Sequence, residues 1–128
     1  MATLRWTTPH PPVDDVVVFA SRLPVPSWWA FVALTWASLA VRAQLRRSPG
    51  LVAFTLVADV RRRTLWTASA WCSADEMGAF VAGEPHRSVM GRHAGQLGAP
   101  TFRRWRAPAA AAPRDRAAIA EALTAVAA

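Results

Sequence analysis

Apolar and polar positions divide the chain into short blocks separated by turn residues. The run VVVFASRL, residues 16 to 23, is β-branched and apolar and reads as a strand. After PVPS, Ser27 is placed to cap a helix from Trp28 to about Arg47. Phe31, Leu34, Ala37 or Ser38, Val41 and Leu45 keep its helical spacing, and SPG at 48 to 50 stops it. LVAFTLVADV (51 to 60) and TLWTASAW (64 to 71) read as a hairpin closed by Arg61, Arg62 and Arg63. SADE at 73 to 76 has the spacing of a capping box and predicts a helix from about Ala74 that buries Met77, Phe80 and Val81. Gly83 weakens that helix. Pro85 suits the first turn of a second helical piece carrying His86 to about His93, and TFRRWRA (101 to 107) is the last strand.

The order β-α-β-β-α-β predicts an α+β, ferredoxin-like domain over residues 16–107, with a four-stranded antiparallel sheet and helices on one face. Residues 1–15 read as a flexible, proline-rich arm, and residues 108–128 as an Ala/Pro linker with a marginal C-terminal helix at Ile119, Leu123 and Val126. An antiparallel sheet with one wet face alternates cleanly. Here Val52, Phe54, Leu56, Ala58 and Val60 stand against Leu51, Ala53, Thr55 and Val57, and Val16, Val18 and Ala20 against Val17 and Phe19. Both faces are apolar, so both are expected to be covered. The simplest cover for the second face is the same face of another copy, an isologous homodimer.

Length and composition fit one globular domain: 128 residues, 53% hydrophobic and 18% charged. All basic residues are arginine, and the net charge of +7 raises nucleic acid, a membrane surface or an anionic small molecule as partners. The arginines fall in a turn, at a helix end and along the last strand, with no helix-turn-helix, zinc-finger or aromatic RNA-binding motif, so no nucleic-acid partner is expected. The apolar run from Trp28 to Val41 is too short to span a bilayer and Arg42 ends it, so no membrane span is expected. With no secretory signal, the expected location is cytoplasmic. Cys72 stands alone, without a disulfide or zinc partner, and reads as a buried, inert strand residue.

The chemistry concentrates in FVAGEPHRSVMGRH, residues 80 to 93. On a helix, His86, Val89, Met90 and His93 share one face that is apolar with two imidazoles. A haem needs this combination: an imidazole for the iron, apolar walls, and arginines for the propionates. His86 is the candidate axial ligand. Arg87 and Arg92 are propionate candidates, with Arg104 weaker, and Met90 belongs to the same cofactor surface as a packing residue. His10, in PHPP, reads as surface. The acidic residues sit mostly in turns, caps and the tail, so hydrolase and glycosidase constellations lack parts.

Residues 45 to 90 carry a resemblance. SPG before a strand, TASAW ending the next, then S-A-D-E-M-x-x-F and a histidine soon after resemble antibiotic-biosynthesis-monooxygenase-type domains of the dimeric α+β barrel superfamily. The set of Trp71, a capped helix with Phe80, and His86 followed by Arg87 is similar to the spheroidene-monooxygenase-like group. The resemblance covers roughly residues 16 to 106 and implies a monooxygenase acting on a hydrophobic polyene or aromatic natural product, with haem on His86. Trp71 and His86 are then the catalytic candidates, and Trp36, Phe54, Trp66 and Phe80 the pocket walls. In cofactor-free oxygenases of the superfamily, the substrate, usually a phenol, reduces oxygen itself once a base takes its proton. Their tyrosine and asparagine have no counterpart here, because the chain contains neither residue. His86 would serve as base, for oxidation or for cyclisation or isomerisation. A non-catalytic, ligand-binding dimer is the third reading.

Overall fold

The computed structural model describes residues 2–8 and 14–124. Five strands form one antiparallel sheet: β1 (Ala2–Thr7), β2 (Val16–Pro24), β3 (Leu51–Asp59), β4 (Thr64–Trp71) and β5 (Thr101–Ala107), in the order β1-β3-β4-β2-β5. The last four strands and the helices α1 (Trp28–Arg47), α2 (Ala74–Ala82) and α3 (His86–His93) reproduce the expected ferredoxin-like order. Ser27 Oγ accepts from the Ala30 amide at the start of α1. Ser73 Oγ accepts from the Glu76 amide at the start of α2 and donates its own proton to Glu76 Oε1. The acid thus returns to the cap hydroxyl rather than to the cap amide.

Two segments depart from the expectation. Within the arm of residues 1–15, Ala2–Thr7 is a strand: it pairs with β3 from Ala2↔Ala58 to Thr7↔Ala53. Its alternation is legible in retrospect, since Leu4 and Trp6 turn to the core and pack on the cluster around Phe54. The C-terminal segment forms regular structure as far as Thr124, and Val126 lies outside the described residues. A short 3₁₀ turn (Ala109–Ala111) leads to α4 (Arg116–Thr124), whose Ile119 and Leu123 are buried.

The two faces of the sheet are both covered, as their composition requires, but not in the expected way. On one side, Val17, Leu51, Phe54 and Trp71 pack with Leu45 of α1 and with Met77 and Phe80 of α2. Beside them, Leu23, Leu65 and Val25 meet Phe31 and Leu34 of α1 and Val89 of α3. On the other side, Ala20, Val57, Trp66 and Ala68 lie under Ile119 and Leu123, and Val16, Val18, Val52 and Ala70 lie near Ala109 and Ala112. The second face is therefore covered by the chain's own C-terminal segment, and a second copy is not needed to dry it.

A bulge in β3 between Leu51 and Ala53 corrects the assignment of faces. The extra residue moves Leu51 to the side of Phe54 and Leu56, and Val52 to the side of Val57. A strict period of two cannot anticipate that step. Val81, expected to be buried by α2, is exposed, as is Cys72 just beyond β4. Among the described residues no helix is long and apolar enough to cross a membrane.

Candidate functional site

The chain places a half-buried histidine at the end of an aromatic row. β4 ends on Trp71, which is fully buried, and its indole N–H donates to Ser69 Oγ at 2.9 Å. The Phe80 ring, carried by the capped helix α2, lies 5.3 Å from Trp71 between centroids, and the His86 ring lies 4.8 Å beyond Phe80. The break at Gly83–Pro85 makes this possible: it ends α2 and starts α3 at a new angle, so His86 folds back over the C-terminal turn of α2. There its Nδ1 sits 3.1 Å from the Val81 carbonyl oxygen. A carbonyl oxygen can only accept, so in the neutral imidazole Nδ1 carries the proton and Nε2 keeps its lone pair.

Gln44 holds this arrangement from α1. It is buried, its Oε1 accepts from the His86 backbone amide at 2.8 Å, and its Nε2 donates to the Phe80 carbonyl at 3.0 Å. Burial pulls the His86 imidazole below its ordinary value of 6.5, and the Val81 hydrogen bond only partly opposes this. A groove of about 330 Å³ between α1 and α2 has Gln44 and Phe80 among its lining residues, with Ser48, Asp75, Glu76 and Ala79. Sequence reasoning missed Gln44. Its signal was a lone amide on the apolar stripe of α1, one residue before Leu45.

The other expected site residues divide into three groups. Trp71, Phe54 and Phe80 share one cluster with the His86 ring at its edge. Trp66 is buried on the opposite face of the sheet, next to α4, with Arg116 above its ring at 5.8 Å. Trp36 stands in solvent on the outer side of α1. Neither Trp66 nor Trp36 shares a pocket with His86. On α3, Val89 and His93 are buried, and His93 Nδ1 meets Gln96 Oε1 at 2.9 Å, so this imidazole is occupied within its own turn. Met90 is half-buried, and His10 lies outside the described residues.

The surroundings of His86 give little support to a haem. The imidazole packs against the Phe80 ring at a tilt of 53°. Arg87 is exposed and tied to Glu84 at 3.0 Å, while Arg92 and Arg104 are exposed. His86 does not line the groove between α1 and α2, the cavity on the far side of the sheet or the shallow one beside α4. Among the described residues no cluster of three or more His, Cys, Asp or Glu is placed to hold a metal ion.

The cavity on the far side of the sheet is about 280 Å³. It lies between β1, β3 and β4 and residues 109–114. Ala53, Ala68 and Ala70 form its floor, Thr55 Oγ1 donates to the Pro113 carbonyl at 3.2 Å, and Arg5 and Arg114 stand at its lining. It offers two cations and small apolar walls, but no group that could serve as a base near neutral pH.

Comparison with solved structures defines the fold. A Caulobacter crescentus CB15 protein assigned provisionally as an antibiotic biosynthesis monooxygenase superposes with a TM-score of 0.63, over 74% of this chain and 92% of its own, at 13% identity. SnoaB, a cofactor-independent oxygenase from Streptomyces nogalater, gives 0.54 over 73% and 93%, at 20% identity. A Lactobacillus acidophilus NCFM protein assigned provisionally as a monooxygenase gives 0.65 over 80% of this chain at 10% identity, and the match spans about half, 49%, of that longer chain. No protein-family model matches, and no curated protein matches by sequence. The chain therefore has the ferredoxin-like fold of the antibiotic-biosynthesis-monooxygenase structures, as the motif around residues 45 to 90 implied. These likenesses do not separate that branch from the spheroidene-monooxygenase-like one.

Proposed function

We propose that this chain is a monooxygenase-type enzyme that oxidises a flat, hydrophobic, phenol-bearing molecule, with His86 as the proton-abstracting base and no haem. The observation that carries this reading is the setting of His86: half-buried, so that its pKa is held below the ordinary value, with Nδ1 on the Val81 carbonyl and the ring at the end of the Phe80–Trp71 row. The fold shared with SnoaB supports it. In this mechanism the Nε2 lone pair takes the phenolic proton. The electron-rich phenolate passes electrons to molecular oxygen, one oxygen atom bonds to carbon, and the other leaves as water, with both electrons supplied by the substrate. The protein's task is to hold the proton and the planar ring.

The test is oxygen uptake with a hydroxyanthrone as substrate, in protein stripped of metal and flavin. One oxygen should be consumed per quinone formed, and His86→Gln should lose at least about a hundredfold in rate, the scale of a removed general base. Turnover that survives His86→Gln unchanged, or no turnover by the wild-type chain, would discard the reading.

The far-side cavity favours a second reading, a non-catalytic binding module for a small aromatic anion, with Arg5 and Arg114 pairing its charge. Calorimetry with an aromatic carboxylate separates the two. Under this reading Arg114→Gln abolishes binding and His86→Gln leaves it intact.

A further inference from the structure

Most of the large apolar side chains exposed among the described residues belong to α1. Trp29 is 85% exposed, Trp36 70%, Trp28 49%, Leu39 43% and Val32 42%. Trp29, Val32, Trp36, Leu39 and Ala43 follow the alternating three- and four-residue spacing of one helical stripe. That stripe lies opposite the buried Ala30, Phe31, Leu34 and Leu45. The helix is thus apolar on both sides for most of its length. The hydroxyls of its central turns are satisfied internally: Thr35 donates to the Phe31 carbonyl at 2.8 Å and Ser38 to the Thr35 carbonyl at 2.6 Å. No polar side chain lies on the outer stripe from Trp29 to Ala43, and a contiguous apolar surface of this kind marks an interaction site.

Charge says what the stripe meets. α1 has no acidic residue. Arg46 and Arg47 are exposed at its C-terminal end. At its N-terminal end stands the β3–β4 turn, where the Arg63 guanidinium lies 5.0 Å from the Trp28 ring and Arg61 is exposed. Arg62 is held by Asp59 at 3.0 Å. Asp75 and Glu76 line the groove with Gln44 and Ser48, on the flank turned toward α2. A second copy packed antiparallel along the stripe would bring Arg46 and Arg47 toward Arg61 and Arg63, and α1 itself carries no carboxylate to separate them. An anionic surface accepts both arginine groups, and indole rings favour the boundary between headgroups and acyl chains.

We propose that α1 docks this protein on an anionic membrane surface, with Trp29 and Trp36 in the interfacial layer and the arginines at its two ends on lipid phosphates. The inference does not depend on the catalytic reading, although it would place the groove beside Gln44 and Phe80 close to a reservoir of hydrophobic substrate.

Sedimentation of the full chain with vesicles of phosphatidylcholine alone, and of phosphatidylcholine mixed with phosphatidylglycerol, tests it. The wild-type chain should sediment with the mixed vesicles, less with the neutral ones, and less again as salt rises. The double variant W29S/W36S alters only exposed side chains, keeps its circular dichroism, and should bind the mixed vesicles at least about tenfold more weakly, a loss of about 1.4 kcal/mol or more. R46Q/R47Q should lose the preference for the anionic lipid while retaining weak binding to both vesicles. The proposal is overturned if the wild-type chain ignores the mixed vesicles, or if W29S/W36S binds them as well as wild type. It is also overturned if light scattering shows a dimer that W29S/W36S dissolves, because the stripe is then the seat of a second copy.

Discussion

Gln44 and His86, 42 positions apart in sequence, are joined by a 2.8 Å hydrogen bond from the His86 amide to the Gln44 side-chain oxygen. The same side chain donates to the Phe80 carbonyl, so a single amide from α1 ties the end of α2 to the start of α3. Replacing Gln44 with Leu leaves a buried amide N–H and a carbonyl without partners, at a cost of about 1–3 kcal/mol. Chemical denaturation should show that loss. The oxidation rate should fall further than stability alone explains, because the angle of His86 over Phe80 is released.

The pH dependence follows from burial of His86. Its folded value lies below 6.5, so between the two values the unfolded chain holds a proton that the folded chain does not. Stability should therefore be complete above about pH 6.5 and decline as pH falls toward the folded value. The oxidation rate should decline over the same acidic range as Nε2 gains its proton, with a midpoint below 6.5. A rate profile whose acidic limb is unchanged in His86→Gln would assign the limb to another group.

Haem addition gives a direct spectral check. If His86 acts as a base and not as an iron ligand, titrating the chain with haem should produce no sharp Soret band, and His86→Ala should change nothing in that titration. A band that appears with wild type and disappears with His86→Ala would show that the α2–α3 junction opens to admit a porphyrin.

Gly50 connects α1 to β3 at φ +83, and a Cβ there would collide with the Glu76 carboxylate and its Cβ. Gly50→Ala should therefore cost about 1–3 kcal/mol, from backbone strain and the displaced cap residue together. Thermal unfolding should register this, and Gly78→Ala, whose added methyl meets open space within its helix, serves as the control.

α4 should prove necessary to the fold. Ile119 is fully buried against Ala20, Val57 and Trp66. Ile119→Ala should cost about 2–4 kcal/mol. Ile119→Asp should detach the helix, wet the second face and drive self-association, seen as a rise in mass by light scattering.

Much of the domain follows from local pattern. The helical spacing of α1, the Ser27 and Ser73 caps, the Gly83–Pro85 break and the β-branched runs each specify their element through contacts within a few residues. The two-sided apolar character of β2 and β3 likewise required that both faces be dry. The bulge at Leu51–Ala53, the pairing of Ala2–Thr7 with β3 and the burial of α4 were not legible, because each depends on a partner far away in the chain. The candidate site divides in the same way. His86, Phe80 and Trp71 belong to one motif and arrive together, whereas Trp36 and Trp66 are placed by which side of a helix or sheet they occupy.

By itself, the sequence determined the elements, their order, the need to cover two faces of one sheet, and the imidazole at the α2–α3 junction. Tertiary structure decided what does the covering, which tryptophans meet the histidine, and that α1 is left with an apolar outer side. The physical reason is range: periodicity and capping act over one or two turns, while the choice among apolar partners is made by three-dimensional packing, in which Ile119, Leu123 and the alanines before them reach the second face from the chain's own end.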